Sequence, residues 1–526
     1  DLYSSITDNG AGGLSSSVGE MAGATGGARI DLARAPLKYP GLAPWEILIS
    51  EAQERMTLAV PPAHIDAFLA LAQRREVEAS VLGEFTDSGR LVVTHGATPV
   101  CDLALEFLHD GLPRWPLRAR WSPPARPRSP AASVHAALAD ASLASTLPAL
   151  LAAWNLASDE AIARRYDHEV KGLSVIKPWV GVRQDVPSTA TVMRVRHHRP
   201  EGVVLAEGVH PFYSDLDTHP MATACVDEAV RRLLCAGARI DRISALDNFC
   251  WPDPVASKSN PDGKRKLAQL VQACEGLYEA VLAYNAPLIS GKDSMKNDFD
   301  DGTVRISIPP TLLVSAIGKV PDIERVVTMD FKSVGDHIFV VSAGALGLAA
   351  TTYAGNMNWT SSLLPELNLE QAAILYQTIF SAMQNNLIES CHDLSEGGLA
   401  VAVSECIIGS NLGAELNAEA VVAAAENGPR FHDLLRERMD VALFAEGPAR
   451  LLVSVSPANL EAWLALWPEQ KELTSDSKIS LVEIGKVTAS GLKLVDKARK
   501  GELIELDNAT LKQAWQATLP FEEDFK

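Results

Sequence analysis

The stretch "HDLSEGGLAVAVSE" (392–405) decides the architecture, because "TDNGAGGLSSSVGE" (7–20) repeats it near the other end of the chain. Asp8, Gly12, Gly13, Leu14 and Glu20 fall on Asp393, Gly397, Gly398, Leu399 and Glu405; 393 against 8 and 405 against 20 give one constant offset of 385. In both copies a short strand-like run ends in Asp, passes through glycines and enters a helix-like run. That order suits a bound phosphate: the carboxylate can hold Mg2+, bare glycine backbone lets N–H groups come close, and the helix N-terminus adds its positive dipole. A plain tight turn with a solvated Asp needs the same residues, and it is the recurrence that favours the phosphate reading.

Further anchors extend the repeat. "ISEAQERMTLAV" (49–60) matches "FAEGPARLLVSV" (444–455), which places Glu51 on Glu446 and Arg55 on Arg450. "VLGEF" (81–85) faces "EIGKV" (483–487), Gly83 on Gly485. The offset drifts upward, as loop insertions allow. Residues 1–112 and 326–505 therefore read as two copies of one α/β module, with a short tail at 506–526. The region between them is of another kind, giving the order B, A, B′. If each B module belongs to an A–B unit, an upstream A domain is expected before Asp1.

Composition bounds the function. A chain of 526 residues exceeds one ordinary core, and 47% hydrophobic residues suffice for three or so domains. The formal charge of −19 disfavours a general nucleic-acid partner. Seven scattered cysteines, none in a C-x-x-C pair, fit a reducing compartment. No apolar run approaches the roughly 20 residues of a membrane helix, and no secretory signal opens the chain, so a cytoplasmic protein with no membrane partner is expected.

Between the copies, residues 113–168 hold an Arg/Pro-rich linker, "LPRWPLRARWSPPARPRSPAA" (112–132), and then a helical segment at about 134–168. The linker is either an extended spacer or a basic docking strip. Residues 169–325 form the A domain. "TATVMRVRHH" and "GVVLAEGVHP" predict strands. "THPMATACVDEAVRRLLCAGA" (218–238) predicts a helix with Thr218 as N-cap and Gly237 as stop. "RISALDNFCW" (242–251) predicts a strand, "KLAQLVQACEGLYEAVLAYNA" (266–286) a long helix, and "PLISGKDSMKND" (287–298) a strand ending in a polar turn.

Within this domain Asp217 sits before the helix and Glu228 about three turns into it, so the two could face a shared metal; acids at a helix start are also ordinary dipole complements. "SGKDSMKND" departs from a Walker loop, with Ala286 in place of the first glycine and Asp293 after Lys292. It still offers a cation, a carboxylate and a hydroxyl within one turn, or else a surface hairpin. No G-x-S-x-G elbow and no glycine-flanked nucleophilic cysteine is present, and His392 reads as a structural histidine or an acid-base candidate.

"PWEILISEAQERM", "YDHEVKG" (166–172), "LDNFCWPDP" (246–254), "SGKDSMKND" and "HDLSEGGLAVAVSE" together resemble the phosphoribosylformylglycinamidine synthase family of the aminoimidazole ribonucleotide synthetase superfamily. The resemblance implies an α/β and α+β multidomain fold: two synthetase C-terminal-like modules flanking one N-terminal-like domain of ferredoxin or chorismate-mutase type, the B1–A2–B2 part of an A1–B1–A2–B2 chain. It implies an ATP-dependent C–N ligase of purine biosynthesis that phosphorylates the amide oxygen of formylglycinamide ribonucleotide and then admits ammonia. The partners implied are the upstream A1 half, which would carry the catalytic histidine, and a glutaminase domain or subunit.

Carried over by motif, Asp8 resembles a Mg2+ ligand, Glu51, Ala52 and Gln53 a substrate-binding triplet, and Gly291 and Ser294 positions touching ATP and substrate. Asp217, Glu228, Asp393 and Ser395 resemble a second nucleotide site that holds ADP with Mg2+ in larger members. Lys292 stands where smaller members have a metal-binding Asn, so a cation replaces a metal contact there. Two alternatives remain: another superfamily synthetase, for selenophosphate or aminoimidazole ribonucleotide, which would lack the tandem copy, and a non-catalytic nucleotide-binding scaffold.

Overall fold

The structure, a computed structural model, describes residues 2–38, 40–52, 54–122, 142–166, 169–357, 364–426, 438–467, 479–497 and 501–519. Gln53, much of the Arg/Pro stretch and the ends of the predicted 134–168 helix lie outside them. The chain divides into two compact units, Asp1–Leu117 and Arg118–Lys526.

In the first unit β1 (Ser5–Asp8) leads through the glycines into α1 (Gly13–Thr25), followed by β2 (Ala28–Asp31), α2 (Pro44–Ile49), β3 (Met56–Ala59), α3 (Ile65–Arg74), β4 (Gly83–Phe85), β5 (Arg90–His95), β6 (Thr98–Ala104) and α4 (Leu105–Asp110). Strands β1 and β3 pair antiparallel, Asp8 opposite Met56. A separate sheet runs β4-β2-β5-β6. The core is small: Leu14, Val18 and Ala22 from α1 meet Ile30, Ile47, Leu91 and Val93. These helix positions recur at i, i+4 and i+8, the stripe a core-facing helix presents.

The second unit begins with α5 (Leu143–Leu151) and then β7 (Ser174–Ile176), β8 (Thr191–Arg194), β9 (Gly202–Val209), α6 (Thr218–Cys235), β10 (Ile243–Cys250), α7 (Gly263–Ala283), β11 (Leu288–Ser294) and β12 (Thr311–Val320). These strands form one sheet ordered β11-β10-β12-β9-β8-β7, with only β10 and β11 parallel. On β9 the alternation is strict: Val204 and Ala206 are buried while Leu205 and Glu207 face outward.

Next come β13 (His337–Ser342), α8 (Leu369–Gln384), β14 (Ser390–Asp393), α9 (Gly398–Ser410), β15 (Gly413–Asn417), α10 (Ala418–Ala425), α11 (Met439–Phe444), β16 (Arg450–Val455), β17 (Ser480–Thr488), β18 (Gly491–Asp496), β19 (Gly501–Leu506) and α12 (Asn508–Gln516). Their sheet is ordered β14-β16-β13-β17-β15-β18-β19.

The internal repeat is visible in three dimensions. Strand β14 pairs with β16, Asp393 opposite Leu451, as β1 pairs with β3. The amide after each aspartate donates to the carbonyl of the matched arginine, Asn9 to Arg55 and Leu394 to Arg450, both at 3.0 Å. The parallel pair β2/β5 corresponds to β15/β18. The two glycine pairs adopt the same left-handed backbone, φ +84° and +56° at Gly12 and Gly13 and +76° and +70° at Gly397 and Gly398. A side chain at Gly13 would lie 2.4 Å from the Ser50 carbonyl oxygen and one at Gly398 2.7 Å from that of Ala445. Glycine is thus required twice over, by φ and by close approach. One difference stands out: β13 bridges β16 to β17, and no counterpart of it lies among the described residues of the first unit, whose strands stay in two sheets.

Three local expectations change. Thr218 is the first helical residue of α6 and donates to the Gln269 carbonyl at 2.6 Å; Asp217 is the cap, accepting from the His219 amide at 3.1 Å. The Gly-Lys-Asp-Ser motif lies within β11 instead of in a turn, so Lys292 and Ser294 share one face and Gly291 and Asp293 the other. The described part of 134–168 holds α5, which stops at Leu151, and a single turn at Glu160–Ala163.

Candidate functional site

In the first unit the loop after β1 is open. Asp8 is exposed and its Oδ1 accepts from the Gly10 amide at 2.7 Å. Below it Asn9 is buried, its Oδ1 accepting from Ser17 Oγ at 2.6 Å and Thr57 Oγ1 at 3.0 Å, which ties the loop to α1 and β3. Arg55 donates to the Ser50 carbonyl at 2.9 Å and fixes the turn that follows α2. Glu51 is exposed and Ala52 half-buried at that turn.

In the second unit the matching loop is closed by its own side chains. Asp393 is 4% exposed, and Glu446, the counterpart of Glu51, is 5% exposed. Glu446 Oε1 accepts from the Gly397 amide at 2.8 Å and the Thr352 amide at 3.0 Å. Burial, with Glu396 and Glu228 nearby, pushes its carboxyl up to about 8, although the two amide bonds pull the other way. Glu396 is likewise raised, to about 7, by burial and then by Glu228.

Helix α6 supplies the rest. It is buried on nearly every side, and its polar residues pair internally. Asp227 is fully buried; its Oδ1 accepts from Tyr284 and Tyr376 hydroxyls, both at 2.6 Å, and its Oδ2 from the Ala449 amide at 2.9 Å and from Arg231. Arg231 also reaches toward Asp393, Nη2 to Oδ2 at 3.6 Å. Burial opposes its charge, but Asp227, Tyr376, Asp393 and Glu228 hold its pKa well above the ordinary arginine value. Arg232 donates to the carbonyls of Thr189 and Glu207, each at 3.0 Å. Its pKa is raised despite burial by Asp393, Glu228 and Glu207. Glu228 accepts from Ser395 through Oε1 and from the Val209 amide through Oε2 at 3.0 Å, with His210 at 3.4 Å. Burial would raise this carboxyl, yet His210, Arg232, Arg231 and Ser395 together hold it below its ordinary value.

His392 is structural: Nδ1 meets Thr189 Oγ1 at 2.8 Å and Nε2 meets Glu405 Oε2 at 2.9 Å. Burial works against its charge, but Glu405 and Asp393 raise its pKa.

Glu228, Asp393 and Ser395 are thus brought together, through Ser395 on one side and Arg231 on the other. Asp217 is not among them, since eleven residues of α6 separate it from Glu228, a rise of ~16 Å. Among the described residues no three His, Cys, Asp or Glu side chains group so as to hold a metal ion. Asp393 Oδ2 is buried without a hydrogen bond, yet a divalent ion needs several oxygen ligands, and a guanidinium already stands beside this one. Gly291, Lys292 and Ser294 sit on β11, the edge strand, where Lys292 pairs with Asn248 and is exposed. Next to Gly291 the Asp247 carboxyl is raised by burial and by Asp293. Arg231, Arg232, Glu396 and Glu446 were not singled out as site residues in the sequence. Their signal was there in part, as Arg231 and Arg232 follow Asp227 and Glu228 by four residues on one helix.

The family model for the AIR synthase related protein, C-terminal domain, matches residues 1–96 and 333–497, and that for the N-terminal domain matches residues 188–320. The chain belongs to the AIR synthase related family. Its fold is two C-terminal-type modules flanking one N-terminal-type domain, mixed α/β throughout. Among curated relatives, the phosphoribosylformylglycinamidine synthase subunit PurL of Thermomicrobium roseum is 33% identical over 466 residues, covering 88% of this chain and 59% of the relative. The subunit of the same name from Alkaliphilus metalliredigens is 31% identical over 513 residues, 95% of this chain and 63% of the relative. The chain therefore spans about three fifths of the length of these relatives. Among solved structures, Thermotoga maritima PurL complexed with ADP superposes with a TM-score of 0.57 at 21% identity, covering 93% of this chain and 64% of that one, and the same protein complexed with FGAR gives 0.56.

Proposed function

We propose that this chain is part of an ATP-dependent synthase that converts formylglycinamide ribonucleotide to formylglycinamidine ribonucleotide in purine biosynthesis. The observation that carries this reading is the match of synthase subunits along 88% and 95% of the chain, beside the two equivalent Asp-Gly loops of the structure. In the reaction the amide oxygen attacks the γ-phosphorus of ATP, ADP leaves, ammonia adds to the iminophosphate carbon, and phosphate departs as the amidine forms. Such chemistry rests on positioning and charge neutralisation.

The first-unit loop is the one suited to this work. Asp8 is an exposed carboxylate for the Mg2+ carried by ATP, and α1 begins five residues further on at Gly13, its N-terminal dipole suited to a phosphate. Glu51, Ala52, Gln53 and Ser294 bind the ribonucleotide, while Gly291 and Lys292 bind the nucleotide, Lys292 as a point charge. We further propose that turnover needs an upstream A1 domain and that ammonia comes from a glutaminase domain or subunit, all in the cytoplasm; among the described residues no helix is long and apolar enough to cross a membrane.

The test is phosphate release from ATP, Mg2+, ammonium and formylglycinamide ribonucleotide, with the upstream half supplied. Substrate-dependent release, lost in Asp8→Ala, is expected. Nucleotide binding without any substrate-dependent release would overturn the enzyme reading in favour of a scaffold, and release driven by selenide would overturn it in favour of a selenophosphate synthetase.

A further inference from the structure

The second Asp-Gly loop retains the acids that a phosphate-bound cation would use, yet its interior is arranged differently from the open first loop. Both oxygens of Glu228 are engaged, by Ser395 and by the Val209 amide. Asp393 lies between His392, 3.5 Å from its Oδ1, and Arg231, 3.6 Å from its Oδ2. Arg231 is 1% exposed and anchored on Asp227, which three further donors hold in place. Arg232 is fixed by two backbone carbonyls on β9 and on the segment before β8. These guanidiniums are positioned by bonds that do not involve the loop, so their charge is available to it.

We propose that Arg231 and Arg232 are the resident counter-cations of the Asp393 loop, and that they do within the protein what a divalent ion would do if Glu228 and Asp393 were its ligands. The Arg231 guanidinium, 1% exposed and held 3.6 Å from Asp393, opposes entry of a doubly charged ion, because like charges a few ångströms apart in a buried setting repel strongly. The loop accordingly folds and stays closed without Mg2+. The ADP·Mg site implied for Asp217, Glu228, Asp393 and Ser395 has no metal seat here, and among the described residues it is the first-unit loop at which a divalent ion acts. The inference does not rest on the proposed reaction, since its test reads stability and needs no turnover.

The test is thermal unfolding of the full chain in an Asp8→Asn background, which silences the first loop, with EDTA or millimolar Mg2+ and with NaCl of matched ionic strength as control. The parent is expected to show no Mg2+-specific change in Tm. Arg232→Ala is expected to lower Tm by roughly 3–6 °C, and Mg2+ but not NaCl should restore at least half of that loss, because one of the loop's two counter-cations is then gone and a divalent ion can supply its charge. Arg232→Lys keeps the charge and should remain indifferent to Mg2+, which keeps the test informative if the alanine variant does not fold. A Mg2+-specific rise in the parent, Mg2+ dependence in the lysine variant, or a folded alanine variant blind to Mg2+ would each overturn the proposal.

Discussion

Replacing Glu446 with glutamine should stabilise the protein, and increasingly so as pH rises. In the folded state this carboxyl titrates near 8, against an ordinary value of 4.5, because burial and its acidic neighbours favour the neutral form. Below the ordinary value both folded and unfolded chains hold the proton, and the group is neutral toward stability. As pH climbs from about 4.5 toward 8 the unfolded chain releases the proton while the folded one keeps it, so the folded state loses ground at ~1.4 kcal/mol per pH unit. By pH 8 the loss is on the order of 4–5 kcal/mol. Glutamine keeps an oxygen for the Gly397 and Thr352 amides but has no proton to lose. Urea unfolding followed by circular dichroism at several values between pH 5 and 8.5 gives the comparison directly. The parent and Glu446→Gln curves should lie close together at the acid end and diverge steadily toward the alkaline end. A gap of constant size across that range would refute the reasoning.

Other outcomes follow from the same geometry. Gly13→Ala and Gly398→Ala each force a side chain onto a backbone carbonyl at positive φ and should cost about 2–4 kcal/mol, seen as a lowered denaturation midpoint. Asp227→Asn leaves Arg231 buried without its partner and should cost about 3–5 kcal/mol by chemical denaturation; a loss below about 1 kcal/mol would mean that Asp393 alone suffices as counter-ion. Asp8→Asn should weaken MgATP binding about tenfold in calorimetry while leaving Tm unchanged, since the Asp8 carboxylate is exposed and makes only a local bond to Gly10.

The duplicated loop was legible in the sequence because glycine is the residue that both the positive φ and the close approach of the Ser50 and Ala445 carbonyls require, so the pattern survives wherever the geometry does. Helix α6 was legible from its apolar spacing. Its surroundings were not, because a helix buried on all faces shows no polar stripe to mark where each charge points. Asp227, next to Glu228 on the chain, therefore gave no sign of its role, though it gathers Tyr284, Tyr376 and the Ala449 amide from three distant stretches of chain, together with Arg231 one turn along its own helix. The Gly-Lys-Asp-Ser segment misled in a simpler way. Gly, Lys, Asp and Ser are common in turns, and only pairing with β10 reveals that they stay extended.

The division of the first unit into two small sheets has a practical meaning. In the second unit the run "HIFVVS" (337–342) hydrogen-bonds on both flanks, to β16 and to β17. In the first unit β3 and β4, the counterparts of β16 and β17, are edge strands of the two sheets among the described residues. An edge strand of this kind is adhesive toward an extended peptide, which it can take up as one more strand.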